Sequence, residues 1–271
     1  MHIFSFKLEV LMTDIALPAE PYLLSQEDFS NLRGTQYIDF LKYIADHVSP
    51  QSYFEIGTET GRSCKQFTCP SVCVDPQFRL TEDIISGKTE LHLFQMPSDV
   101  FFRSRRLGKI FDEGIDICFL DGMHRCEYLL RDFMNAEKHC HSRSLVLLHD
   151  CMPRNQRMAL RTHEIGTEEE GEDTRYAWTG DVWRVVPILM KYRPDLKISL
   201  IDCPPSGLVA ISNLDPESTV IEKNYANIVR EMHALSFAAS PFETYPHQPT
   251  LISSAGLIAK PEDFSLLFNI W

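Results

Sequence analysis

The chain predicts an α/β fold built on a doubly wound, mostly parallel sheet with helices on both faces and an antiparallel edge. Three observations carry that expectation. Short apolar runs recur at Tyr53–Ile56, Val72–Asp75, Glu90–Phe94, Ile115–Asp121 and Ser144–Asp150, separated by segments compatible with helices. The run Ile115–Asp121 is almost continuously apolar, as a central parallel strand buried on both faces should be. Several runs end on ionisable groups (Glu55, Asp75, Asp121, and the pair His149 and Asp150), and in such sheets ligands sit beyond the carboxyl ends of the strands. One shared crevice is therefore expected.

The remaining elements follow in order. Residues 1–24 carry Pro18 and Pro21 without a clear period and read as an arm. Its first eleven residues include Lys7 and Glu9 and lack the small-residue cleavage site of a signal peptide, and Met12 is an alternative start. A helix is expected from Ser25, with Tyr37, Phe40, Leu41 and Ile44 at helical spacing up to Pro50. Another is expected from Gly61, a helical stretch at Thr81–Ser86, a helix opened by Pro97, and one over Cys126–His139. Residues 151–180, with the acidic run Glu168–Asp173, read as a long connection whose end folds over the crevice. Asp181 is expected to cap a helix kinked at Pro187. Leu196–Ile201 and Leu208–Ile211 read as strands joined by Pro204-Pro205-Ser206-Gly207, and Ser218–Leu235 as a helix. The main domain thus spans 25–238, and the tail 239–271 ends in an apolar cluster that packs on the body or on another subunit.

Composition narrows the function. Hydrophobic residues at 44% and charged residues at 24% are ordinary for a globular protein. A net charge of -12 argues against a nucleic-acid backbone as partner, since phosphate binding needs a basic surface. No run reaches the length of a membrane span. The eight cysteines form no C-x-x-C pair and read as free thiols of a cytoplasmic protein.

The stretch Tyr53–Ser63 followed by Val72–Asp75 reads as half of a nucleotide-binding unit. Gly57 and Gly61 allow a tight turn off the strand and close approach of backbone to ligand, and Asp75 is placed to accept hydrogen bonds from ribose hydroxyls. The spacing is G-x-x-x-G and not G-x-G-x-x-G, which disfavours a dinucleotide.

Glu55-Ile56-Gly57-Thr58-Glu59-Thr60-Gly61-Arg62-Ser63 resembles the first motif of class I S-adenosylmethionine-dependent methyltransferases, in the form found in small-molecule O-methyltransferases. Phe119-Leu120-Asp121-Gly122-Met123-His124 with Tyr128 and Asp132, then Leu147-Leu148-His149-Asp150, then Gly180-Asp181-Val182-Trp183, are similar to further motifs of one subfamily, in the same order. The resemblance spans about residues 52–212 and implies a Rossmann-like methyltransferase fold with S-adenosylmethionine as cofactor. It implies cofactor-binding roles for Glu55, Gly57, Thr58, Gly61, Asp75 and Asp121, with Glu55 acting directly or through its loop. The acceptor is then a small molecule methylated at a hydroxyl.

Methyl transfer is an in-line displacement in which the acceptor loses a proton. Histidine is the natural base near neutral pH, so His149, beside Asp150, and His124 are the catalytic candidates. The resemblance also implies a divalent metal held by Asp121 and Asp150, but Cys151 stands where relatives place a further oxygen ligand. Magnesium prefers oxygen, so that substitution counts against it, and His124 or His149 would suit a softer ion. Trp178 and Trp183 are expected to wall the acceptor pocket. Two other readings remain open: a non-catalytic binding or scaffold protein of the same fold, and a nucleotide-sugar or nicotinamide enzyme. Self-association through the tail is the expected route to an oligomer.

Overall fold

The computed structural model describes residues 32–104, 107–162, 178–237, 245–247 and 249–270. In chain order the elements are α1 (Tyr37–Val48), β1 (Tyr53–Ile56), β2 (Ser71–Asp75), β3 (Leu91–Gln95), α2 (Ser98–Arg103), β4 (Ile115–Leu120), α3 (Cys126–Glu137), β5 (Cys140–His149), α4 (Val185–Tyr192), β6 (Lys197–Ile201), β7 (Leu208–Ser212), α5 (Val220–Ala234), β8 (Thr250–Ile252), α6 (Ser254–Ala259) and α7 (Glu262–Phe268). The eight strands form one sheet in the order β3-β2-β1-β4-β5-β7-β6-β8. Strand β7 runs antiparallel to both neighbours, while β8 pairs parallel with β6. The fold is thus the doubly wound, Rossmann-like arrangement expected, with its reversed strand near one side of the sheet.

The period-2 alternation of the strands sorts their side chains into two cores. Phe54, Val72, Val74, Cys118, Leu120, Val146 and Leu148 face α3, α4 and α5. Tyr53, Cys73, Ile117, Phe119, Leu145 and Leu147 face α1 and the C-terminal helices. The strand order changes direction between β1 and β4, and this switch point is where a doubly wound sheet opens a crevice.

Several local expectations fail for identifiable reasons. Among the described residues the first helix begins at Tyr37 and residues 32–36 are not helical, while residues 25–31, where the expected helix starts, lie outside the described ones. Gly34 donates its N–H to the Asp202 carbonyl and Thr35 donates to the Ser254 hydroxyl, which holds this irregular stretch against the end of β6 and the start of α6. No α-helix follows Gly61; residues 57–70 hold only a 3-10 turn at Cys64–Gln66. Phe67 plugs the space instead, stacked on Tyr53 at 3.9 Å, and the Lys88 ammonium donates to the Cys64 carbonyl at 2.8 Å. Thr81–Ser86 forms turns, because the Asp83 carboxylate accepts the N–H groups of Ile85 and Ser86 and so competes with helix formation.

The tail is part of the body. Thr250–Ile252 adds a strand that the sequence reading does not contain, and Phe264, Leu267 and Phe268 are buried in the core that contains Phe40 and Tyr43 of α1. Among the described residues of this cluster, Leu266 is the large apolar side chain left exposed. The arm 1–24, the acidic run Glu168–Asp173 and Tyr176 lie outside the described residues. Among the described residues, no helix is long and apolar enough to cross a membrane.

Candidate active site

At the switch point Gly57 leaves β1 with φ +91°, and a Cβ there would lie 1.9 Å from the Asp121 carbonyl at the end of β4. Gly61 has φ +86°, and its Cβ would meet a methyl group of Ile84 at 2.5 Å. Both glycines are thus required by the protein's own packing. The loop between them is pinned from β2: Asp75 accepts the Glu59 N–H at 2.8 Å and the Gln77 N–H at 2.6 Å, one on each carboxylate oxygen. Each oxygen keeps a second lone pair for a ligand hydroxyl.

Glu55 does not reach the crevice by contact. Its side chain is fully buried beneath the loop, where one oxygen accepts from the Tyr53 hydroxyl at 2.6 Å and from Ser63 at 2.8 Å. Its other oxygen has no hydrogen-bond partner. Burial raises its pKa. Thr58 is buried in the same loop.

Four predicted residues do meet. His124 Nε2 lies 3.0 Å from Asp150 Oδ2 and 3.6 Å from Asp121 Oδ1. His149 Nδ1 lies 3.3 Å from Asp121 Oδ1 and 3.4 Å from Asp150 Oδ1. Burial alone would push both imidazoles down, but the two carboxylates outweigh it, holding His124 up at about 9 and His149 well above its ordinary value. Burial likewise works against the Asp121 carboxylate, and the proximity of His149 and His124 outweighs it, keeping Asp121 well below the usual range. Each imidazole thus lies between the same two acidic side chains, with which it can exchange a proton over about one hydrogen-bond length.

Asp150 enters the cluster through an unusual backbone. Its φ is +61°, a left-handed conformation that aspartate tolerates better than most residues at a cost of order 1–3 kcal/mol. The conformation brings its carboxylate to the Ser206 hydroxyl and to His124. Cys151 then turns into the core, its thiol 3.3 Å from the His149 carbonyl, and takes no part in the site.

Two contributors escape sequence reading. Ser206, in the turn read only as a strand connection, donates to Asp150 and lies 3.5 Å from His149 Nε2. Tyr37, read as a core position of a helix, covers His149 with ring centroids 4.1 Å apart. Its neighbourhood of buried acids pushes its phenol upward, burial being the larger cause. No local motif marks either residue, because both reach the site from other elements.

The segment expected to roof the crevice divides. Trp178 is half-buried, lies over His124 at 5.1 Å between ring centroids, and donates its indole N–H to the Leu160 carbonyl. Trp183 is not a pocket wall: it is buried against Phe237. Asp181 does not cap its own helix; it accepts the N–H of Cys126, the first residue of α3, at 2.9 Å.

The donor set fits a divalent cation. Asp121, His124 and Asp150 each offer a ligand atom within 4.8 Å of the others, two carboxylates and one imidazole.

No family model matches the chain, and no curated protein matches it. Among solved structures it is similar to an SAH-bound methyltransferase from Podospora anserina, with 13% identity, 72% of this chain and 90% of that one covered, and a TM-score of 0.47. An O-methyltransferase from Bacillus cereus in complex with SAH shows 14% identity over 72% of this chain and 83% of its own, with a TM-score of 0.45. TomG from Streptomyces achromogenes, an O-methyltransferase involved in tomaymycin synthesis and bound to SAM, shows 13% identity over 71% and 92%, with a TM-score of 0.48. Identity this low leaves function to be derived from the chain's own side chains.

Proposed function

We propose that the protein transfers a methyl group from S-adenosylmethionine to a hydroxyl of a small molecule. The observation that supports it is the convergence of Asp121, His124, His149 and Asp150 at the switch point, beside a glycine loop pinned by Asp75. S-adenosylmethionine supplies an electrophilic methyl on a positively charged leaving group, and a divalent cation lowers the pKa of an acceptor hydroxyl.

The chain's own part is to bind, orient and hold protons. Asp75 is the residue for the ribose, and Gly57–Ser63, supported from below by Glu55, is the loop that carries the cofactor. Asp121 and Asp150 would hold the cation. His124, one-quarter exposed where His149 is buried, is the imidazole facing the acceptor, with Trp178 as a wall. His124 Nε2, 3.0 Å from Asp150 Oδ2, is the atom that would take the hydroxyl proton. A small uncharged or cationic acceptor and a cytoplasmic location belong to this reading.

Calorimetric titration of the full chain with S-adenosylmethionine and S-adenosylhomocysteine tests it, alongside Asp75→Ala and with or without a chelator. Saturable binding lost in the variant is expected. Absence of binding under every condition would leave the protein a scaffold of the same fold.

A further inference from the structure

The motif Gly180-Asp181-Val182-Trp183 has no place in the cluster, yet it lies against the loop that carries His124. Trp178 accepts a hydrogen bond from His124 Nδ1 at 3.1 Å through its carbonyl. A carbonyl cannot donate, so Nδ1 carries the proton and Nε2 is the atom turned toward Asp121 and Asp150. Gly180, at φ +65°, allows the two segments to touch: a Cβ there would stand 1.9 Å from the His124 carbonyl and 2.8 Å from its Cβ. Asp181, fully buried, then takes the Cys126 N–H two residues beyond His124 and pairs with Arg161 at 2.8 Å and Arg184 at 3.3 Å.

The far side of the segment is tied down as well. The Trp178 indole donates to the Leu160 carbonyl at 2.6 Å, and Thr179 donates to the Met158 carbonyl through both its N–H and its hydroxyl. Residues 178–181 are therefore a short rail fixed between the stretch 158–161 and the stretch 124–126.

We propose that Trp178, Gly180 and Asp181 are positioning residues for His124: they fix which of its nitrogens faces the carboxylates and where. The role rests on the function proposed above for its purpose, but not for its test. A bond from the remote ring nitrogen to a carbonyl is how proteins commonly fix the orientation of a functional imidazole. Asp181 acts one step further back, holding the start of α3 so that the loop 121–125 keeps its path.

The test uses full-length protein labelled with nitrogen-15 in histidine. Because the Nδ1 proton is present whether the ring is neutral or charged, His124 should give a slowly exchanging Nδ1–H signal in the wild type, assigned by its loss in His124→Gln. The signal should vanish in Gly180→Ala and Asp181→Ala and persist in Asp181→Asn, whose amide oxygen still accepts from Cys126. Trp178→Ala keeps the acceptor carbonyl but loses the indole bond to Leu160 that holds it, so its signal should exchange faster, and this variant covers the case in which either of the first two fails to fold. Persistence of the signal in folded Gly180→Ala, an unchanged exchange rate in folded Trp178→Ala, or its absence in the wild type, would overturn the proposal. Titration with S-adenosylmethionine runs in parallel. Wild-type protein that shows the signal but binds no cofactor defeats the function above and leaves the positioning role standing.

Discussion

Gly57 and Asp121 are locked together at the switch point, the carbonyl of one strand end filling the space a side chain on the other would need. Gly57→Ala should therefore be destabilising for two reasons, the positive φ and the clash at 1.9 Å. The backbone part alone exceeds about 1 kcal/mol. Urea unfolding should show a lowered midpoint, and loss of S-adenosylmethionine binding should accompany it. An unchanged midpoint would mean that β1 and β4 are not held at this separation.

Asp132, on the face of α3 turned to the core, is a buried acid outside the cluster. Burial lifts its carboxyl to about 7 from an ordinary 3.8. A raised acid binds its proton more tightly in the folded chain, so its contribution to stability is fullest near pH 4 and falls as the pH rises to about 7. The slope from one group cannot exceed about 1.4 kcal/mol per pH unit. Asp132→Asn should be more stable than the wild type above pH 7 and converge with it toward pH 4, as measured by thermal unfolding across that range. A constant offset at every pH would assign the difference to packing.

Arg193 is 1% exposed and pairs with Glu137 at 2.7 Å and Asp195 at 2.7 Å. Glu137 is itself buried and also receives the Asp215 N–H. Arg193→Met should leave a buried carboxylate without its cation, at a cost of about 3–5 kcal/mol. The double variant Arg193→Met with Glu137→Gln should recover part of that loss in denaturant titrations; no recovery would mean the guanidinium acts by packing alone.

The candidate cation site makes a separate prediction. Manganese, a divalent cation that takes carboxylate oxygens, should bind the wild type and bind at least about tenfold more weakly to Asp150→Asn, since a charged ligand contact is worth roughly 1.5–3 kcal/mol. Equilibrium dialysis of the ion checks this without any turnover. Equal binding to both proteins would remove Asp150 from the ligand set.

The sheet was legible because apolar alternation and strand-end acids are local signals. Tyr53–Ile56 and Ile115–Leu120 follow directly from them. The encounter of Asp121, His124, His149 and Asp150 was readable for the same reason: each sits at or just past a strand end that topology gathers. Of the two expected routes for Glu55, direct or through its loop, alternation along β1 leaves the second, since it turns the carboxylate to the face of Tyr53 and onto Ser63. Ser206 and Tyr37 were invisible because their roles arise from pairing across long sequence separations. Strand β8 was missed since Thr250–Ile252 is too short to show a period, and only its partner β6 makes it a strand. The missing helix after Gly61 reflects the few residues available between β1 and β2 and the Phe67 plug that fills them.

The joining of Gly34 and Thr35 to Asp202 and Ser254 links the two ends of the described chain at one edge of the sheet. A ribosome that has released residues 32–236 has not yet supplied β8, Ser254 or the helices that cover α1. Until then the stretch carrying Tyr37 toward His149 has its bonds to the Asp202 and Pro204 carbonyls but not the one from Thr35 to Ser254. A nascent chain halted before residue 250 therefore holds every residue of the cluster but lacks the strand and helices that brace the cover over His149, and should bind a ligand there more weakly than one extended through residue 270.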